Sequence, residues 1–226
     1  MPVSIIIPCF NRYELTAACV DSIQQHSPDH EIVLVDNGST DETRFANVTI
    51  RNDKNRGFAV ACNQGAEAAT HDLLVFLNND TIVHQNWLAF VRNLSRDDVG
   101  CVGPKLIFPS GRIQSAGVGI NFDNPPGREA FNLHTDWSSE AVEVAAVTGA
   151  CLGIRRDVFV ELGGFDTGFW NGYEDVDLCL AATAAGYSNI YDPVAKVTHL
   201  ESQSGPERWT AVAANVDRLR HKWSPK

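Results

Sequence analysis

The feature that most restricts how this chain can fold is a repeated pairing. A short β-branched apolar run stops at a polar cluster, and a stretch with helical spacing follows. Val3 to Ile7 stops at Pro8, Glu31 to Val35 at Asp36-Asn37-Gly38, and Leu73 to Leu77 at Asn78-Asn79-Asp80. Continuous apolar runs of this length are the mark of strands buried on both faces. Between the first two, Tyr13 to His26 carries Leu15, Ala18, Cys19, Ser22 and Ile23 at helical spacing, with Asn11 as a candidate cap. Asn47 to Ile50 reads as a short strand and Phe58 to Ala69 as an Ala-rich helix. This alternation predicts an α/β fold with a Rossmann-like, doubly wound, mostly parallel sheet. Ligands of such sheets bind beyond the carboxyl ends of the strands. Cys9 to Arg12, Asp36 to Ser39 and Asn78 to Asp80 are therefore expected at one crevice.

The second half is less regular. Gly100 to Ile120 is rich in glycine and apolar residues, and Asn121 to Asp136, with Pro125-Pro126-Gly127, reads as an exposed loop. Val142 to Ile154 resembles a strand, Arg156 to Leu162 a short helix, and Glu174 to Ala185 a helix ended by Gly186. Tyr187 to Tyr191 and Ala195 to His199 look like two short final strands. From Pro206 to Trp223, Trp209, Val212, Ala213, Val216, Leu219 and Trp223 recur at the spacing of an amphipathic terminal helix. The expected organisation is one α/β domain over 1–204 with this helix, 205–226, packed on it or extending from it.

Composition narrows the partners. With 44% hydrophobic and 20% charged residues the chain belongs with ordinary globular proteins. A formal net charge of −10 with no basic stripe argues against nucleic acid. A phosphate ligand would have to be small, held by backbone N–H groups, a metal and a basic side chain such as Arg12 or Arg56. The six cysteines show no C-x-x-C pair, so buried free thiols are expected. The start has no charged leader and no apolar run is long enough to span a bilayer, so a cytoplasmic protein is expected, with peripheral membrane contact open.

Several residues suit chemistry, each beside a plainer role. A carboxylate at Asp80, just past a strand, can reach a hard cation on phosphate oxygens; Asn and Asp are equally ordinary turn formers there. Glu174, Asp175 and Asp177 open a helix, where the dipole favours negative charge in any case. The run Gly168-Phe169-Trp170-Asn171-Gly172-Tyr173 before them is what a carbohydrate cleft needs, since sugar C–H faces pack on rings. Asp175 at its edge could deprotonate a hydroxyl. His199 suits a metal ligand or a structural hydrogen bond. Asn55-Arg56-Gly57-Phe58 suits a diphosphate-facing helix start or a surface turn.

Taken in order, these segments resemble the family 2 glycosyltransferases of the GT-A fold, in particular the rhamnosyltransferase-like bacterial branch, from Val3 to about Ser204. Ser4-Ile5-Ile6-Ile7-Pro8-Cys9-Phe10-Asn11 is similar to the family's opening strand, and Val35-Asp36-Asn37-Gly38-Ser39-Thr40-Asp41 to its nucleotide-binding strand end. The resemblance implies that Pro8, Phe10, Asn11 and Asp36 surround the nucleotide, with Asp36 accepting from the base. It implies that Arg56, Gly57, Asn63 and Gly149 line the donor pocket. Asn78-Asn79-Asp80 stands where the family has D-x-D, with Asn in place of the first Asp. Asn78 and Asn79 would then contact the donor, and Asp80 with His199 would hold Mn2+ or Mg2+. Glu174-Asp175 matches the family's E-D pair, with Asp175 as base and Glu174 beside it, and Trp170, Tyr173 and Glu174 would meet the acceptor. Ala181 occupies a position where the family often has Arg.

The resemblance thus implies an inverting, metal-dependent transfer of a sugar from a nucleoside-diphosphate donor, dTDP-rhamnose or a UDP-sugar. The acceptor would be a glycan or lipid-linked glycan, as in bacterial surface polysaccharide synthesis, and the chain could be part of a larger polypeptide. A nucleotidyltransferase would need a glycine-rich loop after the first strand, and Pro8-Cys9-Phe10-Asn11-Arg12 has no glycine. A GT-A module that binds nucleotide-sugar or glycan without turnover is the other reading, to which Asn78 gives weight.

Overall fold

A computed structural model of the chain describes residues 1–125, 127–200 and 210–224. The first three runs form β1 (Ser4–Cys9), β2 (Glu31–Asp36) and β4 (Leu73–Leu77), with β3 at Ile50–Arg51. These strands are parallel in the order β3-β2-β1-β4. Helices α1 (Tyr13–His26) and α2 (Phe58–Ala68) make the crossovers. Period-two alternation along β1 gives the sheet two cores. Ile6 packs with Val33, Val35, Cys62 and Phe76 under α2, whereas Ile5 and Ile7 pack with Cys19, Ile23, Trp87 and Phe90 under α1.

The sheet continues beyond β4 with a change of direction. β11 (Cys151–Arg155) is inserted antiparallel between β4 and β6 (Val99–Ile107), and β12 (Ser188–His199) runs parallel to β6. Short strands β5 (Thr81–Val83), β7 (Ile113–Ser115) and β10 (Val142–Val144) pair with β12, β6 and β12, while β8 (Val118–Ile120) and β9 (Ala130–Asn132) form a separate hairpin. Helices α3 (Arg156–Glu161), α4 (Glu174–Ala184) and α5 (Val212–Trp223) contribute Phe159, Leu178 and Leu219 to the α2-side core. No helix of the described residues is long and apolar enough to cross a membrane.

Several local expectations are corrected. Asn11 does not cap α1: it and Arg12 are both left-handed (φ 55° and 60°), and its Oδ1 accepts from Thr40 N (2.8 Å). The N-terminus of α1 is met instead by Asp41, whose Oδ2 accepts from Tyr13 N (3.1 Å). The single strand expected over 142–154 splits, because the chain turns at Thr148-Gly149-Ala150 on its way from the edge to the centre of the sheet. The two strands expected over 187–199 are one, with register shifts between Ser188 and Ile190 and between Asp192 and Lys196, the second where Pro193 has no N–H to offer the ladder. The 121–136 stretch is not simply an exposed loop, since it contains β9 and the wholly buried Glu129. In the terminal helix Ala213 is exposed and the polar Asn215 is buried; Pro206 to Trp209 lie outside the described residues.

All six cysteines are free and buried. Gly65, in the middle of α2, lies directly against β1, and a Cβ there would fall well inside contact distance of Ile6 Cγ2. Helix propensity alone favours Gly65→Ala by about 1 kcal/mol. The packing predicts the opposite sign, a destabilisation of about 1–3 kcal/mol, read as a lower denaturant midpoint with an unchanged slope.

Candidate active site

A cavity of about 420 Å³ lies beyond the carboxyl ends of β1 and β4. Its walls come from Pro8 to Phe10, Arg12, Asn78 to Asp80, Thr148 to Ala150, Asn171 to Val176 and His199, with α5 adding Val212 and Asn215. The volume is within the range of small-molecule sites.

On the β4 side, alternation along the chain separates the three polar residues. Asn79 turns toward α1 and donates to Thr16 Oγ1 (2.9 Å), while Asn78 and Asp80 turn toward His199. His199 Nε2 lies 3.1 Å from Asp80 Oδ1 and 3.3 Å from Asn78 Nδ2. Behind the ring, His199 Nδ1 is 2.7 Å from Gln114 Oε1, and the other end of that amide donates to the His199 carbonyl (3.4 Å). This makes Gln114 Oε1 an acceptor, so Nδ1 carries the proton and the Nε2 lone pair faces Asp80. Two acceptors then face each other across 3.1 Å, an arrangement relieved by a shared cation or a proton. Gln114 was outside the sequence expectation, because it stands 85 residues before His199 and meets it only through the β6–β7 pairing. No group of three or more His, Cys, Asp or Glu suited to a metal occurs among the described residues, so a cation here would take most of its ligands from elsewhere.

Opposite stands the start of α4. Gly149 N donates to Asp175 Oδ2 (2.6 Å) and Val176 N to Asp175 Oδ1 (2.8 Å), which fixes the carboxylate at the cavity wall. A Cβ on Gly149 would come within 3.1 Å of Asp175 Cβ, so the approach depends on glycine. Glu174 turns back and accepts from Gly172 N (2.6 Å), and Asp177 is paired with Lys222 and Trp223 of α5. Tyr173 lines the cavity, whereas Trp170 packs over Gly57, where a Cβ would lie 3.0 Å from the indole.

The structure keeps other expected residues off the cavity wall. Asp36 is buried, ion-paired with Arg51, and accepts from Ser39 N (2.9 Å). Its neighbour Asn37 lines the cavity instead. Asn63 clamps the Phe165 backbone through both ends of its amide (2.8 and 2.9 Å). The amides at the start of α2 are already taken: Arg56 N by Asn37, Gly57 N by Asn55, and Phe58 N by Asn171. That helix start is therefore saturated by side chains, a correction to its expected role as an open anion site. Asn11 holds the 39–41 turn, while Arg12 lines the cavity and is the nearest guanidinium on its wall.

Residues 4–163 match the model of glycosyl transferase family 2. The chain belongs to that family. Among curated relatives of this family 2 glycosyltransferase, the O-antigen biosynthesis protein RfbC of Myxococcus xanthus is 35% identical, over 99% of this chain and 20% of the relative. Glycosyltransferase AglE of Haloferax volcanii is 30% identical, over 82% of this chain and 62% of its own length. The chain thus spans about a fifth of the first relative and under two thirds of the second. Among solved structures, GalNAc-T7 with UDP, GalNAc and Mn2+ superposes with a TM-score of 0.76 at 21% identity, covering 97% of this chain and 48% of that one. The Pyrobaculum calidifontis mannosyltransferase PcManGT with GDP-Man and Mn2+ gives 0.69 at 20% identity, covering 99% and 65%. The fold is GT-A.

Cys9 is the one thiol on the cavity wall of this glycosyltransferase. Burial, reinforced by the nearby Asp36 charge, pushes it up to about 12, and its Sγ donates to Val35 O. It is thus a neutral thiol at physiological pH and no nucleophile. Native protein at pH 8 should give no reaction at Cys9 with iodoacetamide, while the denatured chain labels fully; mass spectrometry of the peptide distinguishes the two.

Proposed function

We propose that this protein is an inverting, divalent-cation-dependent glycosyltransferase that moves a sugar from a nucleoside-diphosphate donor to a hydroxyl of a glycan or lipid-linked glycan acceptor. The observation that carries the reading is the facing of two groups across one cavity: the anchored carboxylate of Asp175, and the Asp80–His199 pair with its acceptors turned toward each other. The relation to an O-antigen biosynthesis protein supports a surface-polysaccharide acceptor, and the two structures crystallised with a nucleotide or nucleotide-sugar and Mn2+ support the donor class.

In this mechanism Asp175 accepts the acceptor proton. Two backbone N–H groups, those of Gly149 and Val176, hold the side chain in one rotamer at the cavity wall, where a substrate hydroxyl would meet it. The hydroxyl oxygen attacks the anomeric carbon from the face opposite the nucleotide, the bond to the diphosphate breaks, and the configuration inverts. Asp80 and His199 suit a cation through a carboxylate oxygen and a lone pair fixed by Gln114, with Asn78 contributing a neutral amide. When bound, Mn2+ or Mg2+ would offset charge on the departing nucleoside diphosphate. Of the residues on the cavity wall, Pro8, Phe10, Asn37 and Arg12 would meet the nucleotide and Tyr173 the acceptor. For the donor, dTDP-rhamnose and UDP-sugars are the candidates.

Asp175→Asn should lower the transfer rate by about 10² to 10⁴-fold while donor affinity stays nearly unchanged, and Asp80→Ala should weaken both. The reverse pattern in steady-state kinetics and calorimetry would remove the assignment of roles. Gln114→Leu should weaken Mn2+ binding by about 10 to 100-fold, measured by paramagnetic resonance in the presence of the nucleotide. That nucleotide is identified by thermal shift with UDP, dTDP and GDP, since a ligand at 100 times its Kd adds roughly 2.7 kcal/mol.

A further inference from the structure

The apolar pattern of α5 leaves one residue unexplained. Asn215 is polar, yet it is 2% exposed and every hydrogen-bonding end of its amide is used. Its Oδ1 accepts from Trp170 N (3.0 Å), and its Nδ2 donates to Trp170 O (2.9 Å) and Gly172 O (3.0 Å). The backbone it holds is irregular: Asn171 and Tyr173 have φ of 50° and 72°, and Gly172 has φ of 153°. A segment with these dihedrals forms no ladder of its own, and its N–H and C=O groups need partners from elsewhere.

The rest of α5 grips the same region from the other side. Lys222 Nζ and Trp223 Nε1 donate to Asp177 (2.8 and 2.7 Å), two residues past Asp175. Lys222 and Arg218 also hold Asp166, just before the loop. Arg220 donates to the wholly buried Glu129 (2.5 Å) and to Asn124 O (2.6 Å). One helix therefore fastens the chain upstream and downstream of Asp175, and Asn215 itself lies on the cavity wall.

We propose that Asn215 is a positioning residue for transfer: through its amide, α5 holds the Trp170–Gly172 backbone and so keeps Tyr173 and Asp175 in the geometry that receives the acceptor. The inference rests on the reading of Asp175 as the base. It concerns the acceptor side: among the described residues the Asn215 amide bonds to Trp170 and Gly172, in the loop that leads into α4.

The test compares wild type, Asn215→Ala and Asp175→Asn by hydrogen exchange, by binding of UDP and dTDP with Mn2+, and by hydrolysis of the corresponding glucose nucleotides with water as acceptor. In Asn215→Ala, amides over 168–176 should exchange about tenfold faster or more, while those of β1 and β4 stay as in wild type. Nucleotide Kd should remain within about threefold and the hydrolysis kcat should fall about tenfold or more. Unchanged exchange over 168–176, or hydrolysis at the wild-type rate, would overturn the proposal. So would faster exchange spread evenly over the sheet, the mark of a merely structural residue. Should Asn215→Ala not fold, Asn215→Asp, which keeps the acceptor for Trp170 N and loses both donors to Trp170 O and Gly172 O, is measured by the same criteria. Asp175→Asn separates the two readings: it should lose hydrolysis with faster exchange confined to the Gly149 and Val176 amides that the carboxylate held, and if it hydrolyses normally the base assignment fails whatever Asn215 does.

Discussion

The contact on which the rest of the site depends is a single backbone N–H, that of Gly149, directed at the Asp175 carboxylate. It joins the turn that enters β11 to the first turn of α4, and a Cβ at residue 149 would press on Asp175 Cβ at 3.1 Å. Everything around it is arranged to bring those two pieces together. The antiparallel β11 is seated beside β4, which sets Ala150 opposite Asn78 with an N–H to O bond of 3.0 Å. The same seam therefore locates the carboxylate on one wall and the Asn78–Asp80 segment on the other. The sheet seam seats Gly149 and the Asn78–Asp80 segment, while the 170–172 loop held by α5 sets how Asp175 approaches them.

Polarity is distributed over this frame in two ways. Where a strand end faces the cavity, His199 is held from behind by Gln114 and turned toward Asp80 and Asn78. Where a strand or helix end lies near the cavity without facing it, side chains close it internally, as Asn37, Asn55 and Asn171 do for the start of α2. Buried amides are suited to the second task, since each offers a donor and an acceptor and carries no charge to desolvate. Asn52, Asn63, Asn189 and Asn215 do the same elsewhere.

What could be read from the sequence follows from the range of the interactions involved. β1, β2 and β4 and helices α1 and α2 were legible almost to the residue, because a doubly covered strand is apolar throughout and its helices repeat at 3.6. The 3₁₀ segment Trp87–Ser95 carried a readable signal that went unused: Trp87, Phe90, Val91 and Leu94 have helical spacing and all are buried. The antiparallel insertion of β11 had no local signal, since direction within a sheet is decided by which strand it joins. Asp175, Asp80 and His199 were found as members of an ordered set of segments. Gln114 and Asn215 were not, because their roles arise from contacts 85 and 45 residues away and neither fits an apolar pattern. The family resemblance implied Asp36 at the nucleotide; Arg51 pairs with its carboxylate, a contact visible only once β3 is laid beside β2.

The order in which the walls occur along the chain has a consequence for biosynthesis. The wall of Pro8 to Phe10 and Arg12 is synthesised first, whereas His199 arrives only with β12 and the segment around Trp170–Tyr173 waits for α5, some forty residues later, to supply its hydrogen-bond partners. Domains consolidate from the N-terminus as they are made. A nascent chain would thus be able to fold its first parallel strands while two walls of the cavity were still unformed, and the finished cavity would arrive last.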